Sequence, residues 1–125
     1  MNIPENLKYT KDHEWLKIEG EEALIGITDY AQSELGDIIF SEFVSIGTAL
    51  DAVASFGTIE AVKAVSEVYM PVSGKLIEVN TKLADKPELI NEDPYGAGWM
   101  IRIKLSNVAE IEQLMDAAAY AQFIQ

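Results

Sequence analysis

Lys63 is the only basic residue between Lys17 and Lys75. Two apolar, β-branched runs meet at it, so the chain must reverse there and the amine should project into solvent from a held turn. Glu60 lies three residues before it and Glu67 four after, while Pro71 and Gly74 end the next strand and open another. A primary amine in that setting can serve as the anchor for a group the protein does not itself encode. It can equally be a solvated charge, the ordinary state of a lysine at a turn.

What the chain lacks narrows the chemistry further. It has no cysteine, which removes disulfides, thiolate metal sites and cysteine nucleophiles. It has one histidine, His13, so zinc sites of the H-E-x-x-H kind are excluded, and no metal site is expected. No nucleophile elbow, P-loop or dinucleotide fingerprint occurs. The chain is therefore expected not to be an enzyme, and no catalytic residue is assigned. Redox or thiol chemistry would have to come from something attached to it.

At 125 residues the chain suits one domain, taken as residues 1–125, and a hydrophobic fraction of 49% excludes intrinsic disorder. A net charge of −12 would repel phosphate backbones and anionic lipid, which argues against nucleic-acid and membrane partners. It favours basic protein partners, or serves solubility alone. No bilayer-spanning run or targeting segment is apparent. A cytoplasmic location of a bacterial-type chain is expected, or the mitochondrial matrix for a processed organellar one.

The elements that must hold Lys63 read as mostly β. Strands are expected at residues 13–19 and Glu22–Ile27, joined around Gly20. A short helix follows at Asp29–Leu35, capped by Thr28 or Asp29 and stopped by Gly36. Further strands are expected over 37–44, where Ile38, Phe40 and Glu42 alternate against Ile39, Ser41 and Phe43, and over 50–62, 64–70, 75–79 and 99–105. In the last, Trp99, Ile101, Ile103 and Leu105 should face inward and Met100, Arg102 and Lys104 outward. Residues 80–98 read as a long loop with one helical turn near 88–91. Asn107 and Glu110 resemble a capping box ahead of the stripe Ile111, Leu114 and Met115, and Ala117–Phe123 is a second helical piece. The strand after Gly36 has a faint echo after Gly74, and each half later returns to a strand after a glycine, Gly57 or Gly98. That suggests two similar β-layers face to face, a flattened barrel with Lys63 on the connecting turn.

Four blocks, taken together, resemble the H protein of the glycine cleavage system. They are Leu7-Lys-Tyr-Thr-Lys-Asp-His-Glu-Trp; the segment from Ile25 to Ile38; the segment from Phe56 to Gly74, with Lys63 in the lipoyl-attachment position; and Pro87-Glu-Leu-Ile-Asn followed by Pro94-Tyr-Gly and Gly98-Trp-Met-Ile-Arg-Ile. The resemblance covers nearly the whole chain. It implies a mainly β, flattened barrel-sandwich hybrid of the lipoyl/biotinyl-carrier kind, with a short helix in the N-terminal half and helices at the C-terminus. It also implies lipoate, covalently on Lys63. The arm would shuttle the aminomethyl group of glycine between glycine decarboxylase, a tetrahydrofolate-dependent aminomethyltransferase and dihydrolipoyl dehydrogenase.

Lysine plus lipoyl chain spans roughly eleven bonds, a reach on the order of 14 Å. A loaded arm would carry an ammonium, for which Glu14 and Glu67, with Asp12 and His13 beside them, are candidate contacts. Glu60 is a candidate for recognition by the lipoyl-attaching enzyme, and Gly57, Pro71 and Gly74 for structural roles around the hairpin. A monomer is expected, because a swinging arm must stay accessible. The sequence departs from the family's pattern at Phe43-Val-Ser, at Ala61, and in the loop Leu50-Asp-Ala-Val-Ala-Ser, which lacks the glycine and charged residues often found there. Two alternatives use the same fold: a lipoate relay to other lipoyl-dependent enzymes, and an interaction module that never carries lipoate.

Overall fold

The computed structural model describes all 125 residues. Nine strands run β1 Lys8–Tyr9, β2 Glu14–Glu19, β3 Glu22–Ile27, β4 Ile38–Phe43, β5 Ala49–Leu50, β6 Ser55–Ala61, β7 Val65–Tyr69, β8 Gly74–Val79 and β9 Ile101–Leu105. The helices are α1 Asp29–Leu35, α2 Lys82–Asp85, α3 Leu89–Glu92 and α4 Ala117–Phe123, with a 3-10 turn at Val108–Gln113. The strands form two antiparallel sheets, one ordered β1-β2-β3-β9-β8-β5 and the other β4-β6-β7. The sheets are not closed into a barrel. This is the mainly β, two-layer architecture the sequence implies.

The core follows from the alternation of side chains along each strand. Ile25, Leu76 and Ile103 of the large sheet are buried in one apolar cluster with Phe56, Ile59 and Val68 of the small one. A second cluster, Leu7, Tyr9, Trp15 and Tyr120, fastens α4 to β1 and β2. Helix α1 forms where expected: the Thr28 side chain accepts from the Ala31 N–H, and Gly36, at φ 79°, ends it.

Several expectations need correction. The run 50–62 is not one strand, because Leu50 pairs with Gly74 in the large sheet whereas β6 belongs to the small one. Between them the chain turns through Val53, at φ 73°, and Val53 N–H donates to Met70 O at 2.8 Å. The strict alternation of 37–44 fails at a bulge between Ile38 and Phe40, which leaves Ile39 and Phe40 exposed. Strand β8 bulges at the same offset from its own glycine, between Leu76 and Glu78, so the internal echo extends to backbone geometry.

Met100, expected outward, is fully buried just before β9 begins. The stretch 80–98 holds two short helices rather than one turn. Asn107 does cap, accepting from Ala109 N–H, but Glu110 does not reach back to it. Glu110 instead accepts from Ser73 N–H at 2.8 Å and Ser73 Oγ at 3.0 Å, tying the 3-10 turn to the residue before β8.

Candidate functional site

Strands β6 and β7 pair through Glu60 and Val65, and Ala61 N–H donates to Ala64 O at 2.7 Å to close the hairpin. Val62 N–H donates to Asp37 O at 3.2 Å, which ties the tip to the start of β4. The backbone at the tip is therefore held on two sides. Lys63 stands there exposed between exposed Val62 and Ala64, and its amine makes neither an ion pair nor a hydrogen bond. Arg102, by contrast, is already occupied: it pairs with Glu19 at 2.7 Å, Glu22 at 3.3 Å and Glu78 at 3.2 Å. Glu60 is exposed on β6, in register with Phe40 and Val65.

A cleft of about 300 Å³ opens beyond the far end of β7. Lys11, Asp12, Glu14 and Glu110 bring charge to its lining, and Val53, Met70 and Pro71 bring apolar surface. Glu14 is 1% exposed; it accepts from Thr10 Oγ at 2.7 Å and from Tyr69 N–H at 3.2 Å. Burial, the largest influence, pushes its carboxyl up to about 7, against the pull of those hydrogen bonds. Glu67 is exposed on β7, with Tyr69 Oη at 3.5 Å. The Tyr69 phenol is raised by desolvation and then by the charges of Glu67, Asp12 and Glu14, so these three carboxylates share one neighbourhood. From Lys63 to Glu67 is four residues, about 13 Å of strand.

His13 goes elsewhere. At φ 69° its backbone turns the ring out of the cleft lining and against Tyr30, Tyr120 and Phe123. Gly57 lies within β6 rather than ahead of it, and a Cβ there would collide with the Glu42 carbonyl oxygen and Phe43. Pro71 is buried in the cleft wall, and Gly74 opens β8 against the Lys104 carbonyl.

A family model described as Glycine cleavage H-protein matches residues 7–125. The chain belongs to the glycine cleavage H-protein family. It is 52% identical over 122 residues to the glycine cleavage system H protein of Symbiobacterium thermophilum, covering 98% of this chain and 95% of that one. It is 49% identical over 125 residues to that of Halothermothrix orenii, covering 100% and 98%. The crystal structure of a glycine cleavage system H protein from Mycobacterium marinum superposes with a TM-score of 0.88 at 37% identity, over 96% of this chain and 97% of that one.

For an H-family chain, the sequence signal for Lys63 lay in the string around it. Tyr69, Val53 and Glu110 were missed. Tyr69 acts through its backbone N–H, which carries no side-chain signature. Val53 was legible only as the absence of a glycine in its loop. No helix of the fold is long and apolar enough to cross a membrane.

Proposed function

We propose that this chain is the lipoyl carrier of a glycine cleavage system, with lipoate in amide linkage to Nζ of Lys63. The carrying observation is an exposed, unpaired amine held at the tip of a hairpin whose backbone is tied on two sides. When bound, lipoate supplies a dithiolane that can be reduced, carry an aminomethyl group and be reoxidised. The residues present fit it. No cysteine competes for thiol–disulfide exchange, and Glu67, on the β7 approach to the cleft, lies about 13 Å along the strand, within the arm's reach on the order of 14 Å.

The chain's own residues bind and shield. Val62 and Val65, both exposed beside Lys63, keep the tip extended and apolar, and Glu60 offers a charge to the lipoyl-attaching enzyme. Asp12, Glu14 and Glu67 pair with a cation at the arm's end. Glu14, poised at about 7, is drawn to its carboxylate form as that cation arrives. Met70 and Pro71, in the same lining, exclude water. The chain itself performs no catalysis. Its partners are glycine decarboxylase, a tetrahydrofolate-dependent aminomethyltransferase, dihydrolipoyl dehydrogenase and the lipoyl-attaching enzyme. It works in the cytoplasm, as a monomer whose arm stays accessible to each.

Intact-mass measurement and peptide mapping of protein from its own host test this reading. One lipoyl group on Lys63 supports it. An unmodified Lys63, in cells whose other lipoyl domains are loaded, overturns it and leaves an interaction module. Reconstitution with the three enzymes then separates the shuttle from a lipoate relay, which would not sustain glycine decarboxylation.

A further inference from the structure

Two residues other than glycine have positive φ, His13 and Val53, and they lie in the two turns that frame the cleft. What holds His13 in that conformation is a chain of hydrogen bonds running away from the cleft. His13 Nδ1 lies 2.8 Å from Tyr120 Oη, and Tyr120 Oη lies 2.7 Å from Thr28 Oγ. Thr28 Oγ accepts from Ala31 N–H at 3.2 Å, and Thr28 N–H donates to His13 O at 3.0 Å. Tyr120 also stacks on Tyr9, at 4.6 Å between ring centroids.

The direction of that chain can be assigned. Thr28 is fully buried, and Tyr120 Oη is the only acceptor its hydroxyl hydrogen can reach. Leaving a buried donor unmade is costly, so Thr28 donates to Tyr120. Tyr120 has then one hydrogen left to give, and His13 Nδ1 must accept it. The imidazole is thereby fixed with its hydrogen on Nε2, the nitrogen without a protein partner. A proton on Nδ1 would leave one of the two buried hydroxyl hydrogens, that of Thr28 or that of Tyr120, without an acceptor.

We propose that His13 is a positioning residue: with Tyr120 and Thr28 it latches the turn carrying Asp12 and Glu14 to α1 and α4, and so sets the cleft wall. The groups facing His13 are Tyr30 and Glu34 from α1, Tyr120 and Phe123 from α4, and Asp12 from its own turn. Protonation of His13 opens the latch, because the imidazolium offers Tyr120 a donor in place of an acceptor. The significance for the arm rests on the carrier reading; the latch does not, and it is tested on unmodified protein.

Because His13 is the only histidine, its two ring nitrogens can be read without ambiguity by ¹⁵N NMR across a pH titration. The neutral ring should show the hydrogen on Nε2. In Tyr120→Phe and His13→Ala the Glu14 carboxyl, followed by ¹³C NMR, should titrate lower as water reaches it, and α4 amides should exchange at least tenfold faster. His13→Asn keeps a side-chain acceptor near the Nδ1 position and tolerates positive φ, so it should restore both readouts and abolish their pH dependence around the imidazole titration. An Nδ1–H tautomer overturns the proposal. So does an unchanged Glu14 titration in both disruptive variants, or a His13→Asn variant no better than His13→Ala. Lipoylation of Lys63 measured separately leaves any failure of the carrier reading distinguishable.

Discussion

The Glu14 carboxylate accepts the Tyr69 backbone N–H at 3.2 Å and thereby joins β2 of the large sheet to the end of β7 in the small one. This link is also the least comfortable charge in the molecule, since Glu14 is buried and its carboxyl is pushed up to about 7 from an ordinary 4.5.

The fold binds that proton more tightly than the unfolded chain does. The contribution to stability is thus complete below pH 4.5 and lost as pH rises through about 7. The difference is on the order of 3 kcal/mol. His13 acts in the opposite sense: burial lowers its pKa, so its contribution is present above the ordinary histidine range and lost as pH falls through the lowered value. Glu14→Gln should keep an acceptor for Tyr69, stabilise the protein at pH 8, and leave it unchanged near pH 4. Urea unfolding of both proteins across that range checks this; parallel pH profiles would contradict it.

Val53 carries a β-branched side chain at φ 73° and is 70% exposed, so no packing compensates its conformation. Left-handed backbone costs such a residue about 1–2 kcal/mol. Val53→Asn, which tolerates that region without glycine's added entropy, should raise stability by about 1 kcal/mol and Tm by roughly 4 °C. A thermal melt reads it directly, and a lowered Tm would mean that Val53 is held by contacts its exposure does not reveal.

The hairpin was legible because its signals are local: two β-branched runs, one cation and a tight connection. The cleft was not, because Glu14 meets Tyr69, and Val53 and Thr10 come to line one cleft, only through the packing of segments far apart in the chain. Glu14 and Glu67 came from the family resemblance, and the same resemblance brought in His13, whose positive φ sends its ring to Tyr120 instead. The bulge at Ile38 and Phe40 defeated a strict two-residue period in the same way, by one backbone step that alternation cannot register. Glu110 had the spacing of a capping residue, but the Ser73 N–H and hydroxyl compete better for its carboxylate.

That competition makes Glu110 a strut. Its two oxygens satisfy two donors of Ser73, at 2.8 and 3.0 Å, and it also lines the cleft. Glu110→Ala leaves both donors without their partner and should cost about 1–3 kcal/mol. Glu110→Gln, which keeps one acceptor oxygen, should cost less. Denaturant midpoints for the two variants give the ordering, and equal losses would show that the charge rather than the bond geometry matters.

The tip of the hairpin and its frame should respond in opposite ways. Lys63 has no partner to lose, so Lys63→Gln should shift stability by no more than about 0.5 kcal/mol. Gly57 lies toward the other end of the hairpin, paired with Val68, where the Glu42 carbonyl and Phe43 leave no room for a Cβ. Gly57→Ala should therefore force β4 and β6 apart and cost about 1–3 kcal/mol, although it removes no charge and Gly57 does not line the cleft. Calorimetry of the two variants side by side separates the cases. A large loss for Lys63→Gln would mean the amine is part of the fold, and the carrier reading would then lose its free attachment point.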